Sequence, residues 1–262
     1  GSQAWRDEAE RVALRLGSML LEASAWSALA PTPVVLWCDA DGLALRGPPA
    51  QAAPRRPEPP QASRPGRDPL VRALGPHPHE LEVIDATAGW GVDAGVMAAA
   101  GARVTMIERL PAMALLLEDA LQRWRQDGHP AATRLELLAG DARTLLRAHA
   151  PVDVVYLDPL FPGRQERTTS AVEMRWLRQL ALAAATPDAD EAAAAAAEAD
   201  LLTLALACSR RRVVVKRGRR DAYLAGRVPS GSVSGRTARY DLYAGAAASA
   251  PDRSDTAGGD HA

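Results

Sequence analysis

Hydrophobic positions change their spacing near residue 81, and that change divides the chain. Between residues 4 and 29, Ala9, Val12, Leu16, Met19 and Leu20 recur at helical spacing, which predicts an amphipathic helix. Val34 to Trp37 and Leu43 to Leu45 flank Asp39-Ala40-Asp41-Gly42, the pattern of a small hairpin with an Asp-Gly turn. Residues 47–69 carry Pro, Arg and Gln with almost no large apolar side chain, and read as a loop or mobile linker.

From residue 81 short apolar or β-branched runs alternate with helical segments. Strands are expected at 81–86, 103–108, 134–139, 153–158 and 211–217. Helices are expected at 91–100, 111–126 and 142–149, with a long helical region before the last strand. Alternation of this kind means an α/β fold, a mostly parallel sheet with helices on both faces. The stretches 228–234 and 239–244 read as two more strands, an antiparallel pair at the sheet end. Asp190-Glu191 followed by six Ala reads as a helix of high intrinsic propensity. The expected organisation is a small N-terminal α+β module with a Pro/Arg-rich linker over 1–69, a main domain over 70–245, and a disordered tail over 246–262.

Composition narrows the class. With 262 residues, 47% of them hydrophobic, the chain can bury a sizeable core. It has no run of about 18 apolar residues, so no membrane span is expected. No basic segment followed by an apolar one opens the chain, so no secretion signal is expected, and Gly1-Ser2 in place of Met reads as an expression scar. Cys38 and Cys208 form neither a disulfide framework nor a zinc pattern; no metal is expected, and a cytoplasmic protein fits best. The formal net charge of −1 does not by itself suggest a nucleic-acid binder. Its distribution does: six Arg lie between Arg46 and Arg72 against Glu58 and Asp68, and nine Arg with Lys216 lie between Cys208 and Arg239 against Asp221 alone. Such separation can build a basic face on a neutral protein.

The candidate chemistry sits where the expected strands end. The first runs into Asp85-Ala-Thr-Ala-Gly89-Trp-Gly91-Val-Asp93, a glycine turn that lets a ligand approach the backbone and a helix N-terminus. A dinucleotide site wants G-x-G-x-x-G beside a pyrophosphate, but here the third glycine, Gly95, is one place late. Asp85 is unhelpful beside a pyrophosphate and suits a cationic ligand with an ammonium group, such as S-adenosylmethionine. Glu108 ends the second strand, placed to take ribose hydroxyls under either reading. Asp141, after the third, is placed for an adenine amino group. Each acid alone reads as a cap or turn residue. Four at the ends of successive parallel strands mark the edge where open α/β sheets bind ligands.

The fourth acid opens Asp158-Pro159-Leu160-Phe161-Pro162. An exocyclic nucleobase amine is a poor nucleophile because its lone pair is delocalised. The Asp158 carboxylate and the Pro159 carbonyl can hold its hydrogens, and Phe161 can stack on the ring, which positions the amine for attack on a methyl group. Asp158 can serve as an acceptor alone or also remove a proton, since the amine becomes acidic only as its bond forms.

The Asp-Pro-x-Phe loop resembles the Asp/Asn-Pro-Pro-Tyr/Phe motif of amino-group methyltransferases. VIDATAGWGVDAG, VTMIER, VVYLDPLFP, Glu173-Met174-Arg175, RVVVKR and RYDLYAG together resemble, in this order, the ribosomal RNA small subunit methyltransferase J family, over about residues 70–245. The resemblance implies a Rossmann-like class I methyltransferase sheet of seven strands, S-adenosylmethionine as the donor without a metal, and methylation of N2 of a guanosine in 16S rRNA of the small ribosomal subunit. It implies donor contacts at Val92, Asp93, Glu108, Arg109, Asp141, Ala142 and Asp158, beside Asp85, Gly89 and Gly91. Arg164, Arg167, Lys216, Arg217, Arg219 and Arg220 are expected to contact RNA phosphates, with the base unstacked or extruded. No membrane and no obligate protein partner are expected. Methylation of another nucleobase amine, a non-catalytic RNA-binding factor, and a nicotinamide-dependent oxidoreductase are the alternatives.

Overall fold

A computed structural model describes residues 2–29, 31, 33–49, 52–61, 67–159, 172–184 and 191–246. Its centre is a seven-stranded sheet. The strands are β3 (Glu82–Asp85), β4 (Arg103–Glu108), β5 (Leu135–Ala139), β6 (Val152–Leu157), β7 (Ser209–Gly218), β8 (Gly231–Ser234) and β9 (Ala238–Ala244), and a separate hairpin is formed by β1 (Val35–Asp39) and β2 (Gly42–Arg46). The order across the sheet is β5-β4-β3-β6-β7-β9-β8. The first five of these strands are mutually parallel, and β9 pairs antiparallel with both β7 and β8.

The parallel strands are apolar on both faces because helices cover both. One face packs Val83, Val104, Met106, Val154, Tyr156 and Val214 beneath α3 (Pro69–Leu74), α4 (Val92–Ala99) and α5 (Pro111–Gln126). The other packs Ile84, Ile107, Val155, Leu157, Val213 and Val215 beneath α6 (Ala142–Ala148) and α8 (Glu191–Cys208). From β3 the chain winds outward through β4 and β5, then returns to lay β6 on the other side of β3. That reversal opens a crevice at the carboxyl ends of β3 and β6, the position where doubly wound sheets bind ligands.

The N-terminal part departs from expectation in two ways. The stretch 4–29, expected as one helix, forms α1 (Ser2–Leu16) and α2 (Ala23–Ser27), because the chain turns at Gly17 with a φ of 59°. A left-handed backbone ends a helix, and glycine enters it without steric cost. Residues 52–61, read as linker, lie against the hairpin and the main sheet's helices. Arg55 and Leu45 exchange both backbone hydrogen bonds at 2.8 Å, Arg56 pairs with Asp39, and Pro60 packs against Gly95 of α4. The hairpin is itself docked. Leu43 and Leu45 share a core with Met113 and Leu116 of α5 and with Trp176 and Leu177 of α7 (Val172–Ala183). The Trp176 indole donates to Pro48 O at 3.1 Å, and Leu43 N donates to Asp119 of α5 at 3.1 Å. The short α3 was not anticipated. Its signal is local: Asp68 accepts from Leu70 N at 2.8 Å and Pro69 fills the first helical position. The expected tail lies outside the described residues from 247 onward.

Candidate active site

Three loops meet over the crevice, and buried carboxylates tie them together. After β3 the turn from Ala86 to Gly91 uses left-handed glycines, with φ of 54° at Gly89 and 73° at Gly91, the residue that caps α4. Glu108, at the end of β4, holds this turn. One of its oxygens accepts from Gly89 N at 2.8 Å and the other from Leu110 N at 2.7 Å. Burial raises its pKa, and the two backbone donors oppose the rise. Glu108 therefore fixes the glycine turn relative to the next loop, whatever its remaining lone pairs accept.

Asp85 is 1% exposed, and burial pushes its pKa up to about 8. It accepts from Thr87 N at 3.0 Å. The Thr87 hydroxyl in turn accepts from Asp158 N at 2.7 Å, so the glycine turn and the loop after β6 are joined at the centre of the crevice. Asp158 is half-buried and Pro159 buried. Phe161, Arg164 and Arg167 lie outside the described residues.

Asp93, in the first turn of α4, accepts from the Tyr156 hydroxyl at 2.6 Å and from Lys216 Nζ at 2.7 Å. Lys216 also reaches Asp158 at 3.1 Å. Lys216, expected at RNA phosphates, is thus engaged by two carboxylates on the inner side of the crevice. Tyr156 and Thr87 were not singled out in the sequence. Thr87 carried a signal in hindsight, being the only hydroxyl inside the glycine turn.

The remaining positions surround this centre. Val92 opens α4 with 65% of its surface exposed, and Arg109 is exposed after β4. Asp141 caps α6, accepting from Arg143 N at 2.8 Å, and the Arg143 side chain beside it lowers its pKa. Ala142 is half-buried next to it. Beyond β7, Arg217 is directed at Ala222 O at 3.0 Å, while Arg219 and Arg220 are exposed. A cavity of about 780 Å³ lies between α1, α5 and β5 and is lined by none of these acids.

The donor set indicates what the crevice accepts. Asp93 and Asp158 set two carboxylates about the Lys216 ammonium beside the glycine turn. Carboxylates at that place suit a cation and disfavour a pyrophosphate, so the residues present fit S-adenosylmethionine.

The comparisons with known proteins agree in kind. Residues 56–245 match a family described as "Putative SAM-dependent methyltransferase". A solved SAM-dependent methyltransferase from Neisseria gonorrhoeae is similar at 28% identity with a TM-score of 0.61, covering 81% of this chain and 82% of its own. A protein of Halorhodospira halophila called ribosomal RNA small subunit methyltransferase J is 44% identical over 182 residues, covering 68% of this chain and 65% of its own. The protein of that name from Thioalkalivibrio sulfidiphilus is 40% identical over 261 residues, covering 92% of this chain and 94% of its own. With its sheet, its glycine turn and these relatives alike, the chain belongs to the ribosomal RNA small subunit methyltransferase J family.

Proposed function

We propose that this protein transfers a methyl group from S-adenosylmethionine to the exocyclic N2 amine of a guanosine in 16S rRNA of the small ribosomal subunit. The observation that carries the reading is the position of Asp158-Pro159: at the end of β6, at the topological reversal of the sheet, hydrogen-bonded through Thr87 to the glycine turn. The bound donor supplies an electrophilic methyl group on a sulfonium. Asp85, Gly89, Gly91, Val92, Asp93, Glu108, Arg109, Asp141 and Ala142 surround its place. Asp158 and the Pro159 carbonyl accept hydrogen bonds from the amine and aim its lone pair at the methyl carbon, and Phe161 stacks on the guanine. Positioning of this kind contributes roughly 7–11 kcal/mol in favourable systems. The exposed Arg219 and Arg220, with Arg164, Arg167 and Arg217, bind phosphates next to the extruded base.

Among the described residues no helix is long and apolar enough to cross a membrane. The substrate places the enzyme in the cytoplasm. Incubation with the methyl donor and under-methylated small subunits, followed by mass spectrometry of 16S rRNA fragments, tests the reading. One added methyl on a guanine is expected; a methyl on another base overturns the specificity, and none overturns the activity.

A further inference from the structure

We propose that Lys216 is a positioning residue for methyl transfer: its ammonium, bridging Asp93 and Asp158, keeps the Asp158 carboxylate ionised and oriented as a hydrogen-bond acceptor for the target amine. The inference rests on the methyltransferase reading above and assigns a role to the single lysine of the chain.

Lys216 sits near the end of β7, next to β6 and across from Tyr240 of β9. Its Nζ lies 2.7 Å from Asp93 and 3.1 Å from Asp158, and its side chain is 28% exposed. These distances are charge-assisted hydrogen bonds. Among the described residues the groups facing it are Asp93 from α4, Tyr156 from β6, Tyr240 from β9, Asp158 after β6, and Asp85 from β3, close enough to feel its charge. Tyr156 is held as a phenol by burial and by Asp93, so it donates to Asp93 and carries no charge. Burial of the lysine alone would lower its pKa, but Asp158 and Asp93 reverse the direction and raise it, so the ammonium persists. Thr87 engages the Asp158 backbone N–H, while Lys216 engages its carboxylate.

The consequence lies in the order of the chemical events. As the amine nitrogen forms its bond to the methyl carbon, the carbon–sulfur bond breaks and its electron pair stays on sulfur. The nitrogen then carries one proton too many, and that proton leaves to the carboxylate and from there to water. A carboxyl already protonated accepts hydrogen bonds more weakly and cannot take the proton. With Lys216 absent, Asp158 would face Asp93 without the shared cation, and like charges at close range favour protonation of one of them.

The test uses the full chain and two readouts. In Lys216→Met, kcat on under-methylated small subunits at saturating donor falls about 100-fold, while rRNA affinity stays at its wild-type value. The acid limb of the kcat–pH profile moves up by about one unit or more, and Asp93→Asn in the same chain moves it back by removing the like charge. Carbon-13 NMR of labelled aspartates follows the Asp158 carboxyl directly: its titration moves up in Lys216→Met. That readout needs no substrate, so wild-type protein that methylates no rRNA defeats the functional reading while the titration still decides this one. Lys216→Gln substitutes if the Met variant does not fold, with the same expected shift. An unmoved Asp158 titration, or a loss confined to rRNA affinity with kcat intact, overturns the proposal and returns Lys216 to the phosphate-binding set.

Discussion

At the scale of single residues, the crevice is a set of acids with unequal tasks. Asp158 is the group proposed to touch the reacting amine. Asp158→Ala removes the acceptor while Lys216 keeps Asp93 as a partner, so methyl transfer should fall by about 100-fold or more with donor binding partly intact by calorimetry. Full activity in that variant would sink the clamp. Asp85 has a different role. Its folded pKa of about 8 lies above the ordinary 3.8, so the fold binds a proton that the unfolded chain releases between those values. Stability contributed by this group is present at low pH and is lost as pH rises through that window, at about 1.4 kcal/mol per unit where the proton difference is complete. Asp85→Asn keeps an acceptor for Thr87 N and has nothing to ionise. Its gain in Tm over wild type should be larger at alkaline pH, beyond about 8, than at mildly acidic pH; equal gains at both would show that Asp85 titrates normally.

At the scale of elements, the site depends on a turn that only glycine satisfies. Gly91 caps α4 at a φ of 73°, and a Cβ there would lie 3.0 Å from Leu117 of α5. Gly91→Ala should cost about 1–2 kcal/mol from the left-handed backbone alone, read as a lower urea midpoint at unchanged slope, with weaker donor binding. An unchanged midpoint would mean that the turn relaxes freely. The turn was legible in the sequence, and so were the strands, because parallel strands buried on both faces read as continuous apolar runs ending in acids. The break at Gly17 was not, since Leu16, Met19 and Leu20 keep a helical spacing across it. The role of Lys216 was not legible either. Its partners Asp93 and Asp158 stand 123 and 58 positions earlier in the chain, and only the sheet order brings them to one point. Glu108 was recognised as a strand-end acid. That both its oxygens take backbone N–H groups from two loops could be seen only once those loops were folded together.

At the scale of the whole molecule, the fold decides which arginines share a surface with the site. The basic stretch from Cys208 to Arg239 looks like one cluster in the sequence, but β7 runs through it. Arg210 and Arg211 lie at the amino end of that strand, and Arg210 pairs there with Glu82 at 3.6 Å. Arg219 and Arg220 lie past its carboxyl end, on the edge that carries Asp158, roughly 30 Å away at the rise of an extended strand. Arg239 is spent internally, gripping Asp241 at 2.7 and 2.9 Å. The basic stretch is therefore split between two edges of one sheet. If RNA phosphates meet the catalytic edge, each lost contact should lower the slope of log affinity against log salt by roughly 0.7–0.9. Arg219→Ala with Arg220→Ala should lower it by about twice that and weaken rRNA binding, while Arg211→Ala, exposed on the opposite edge, should leave the slope unchanged. Filter binding across a salt series separates the two pairs of outcomes. Equal effects from both edges would mean that the arginines act through overall charge, and that the sheet does not orient the RNA.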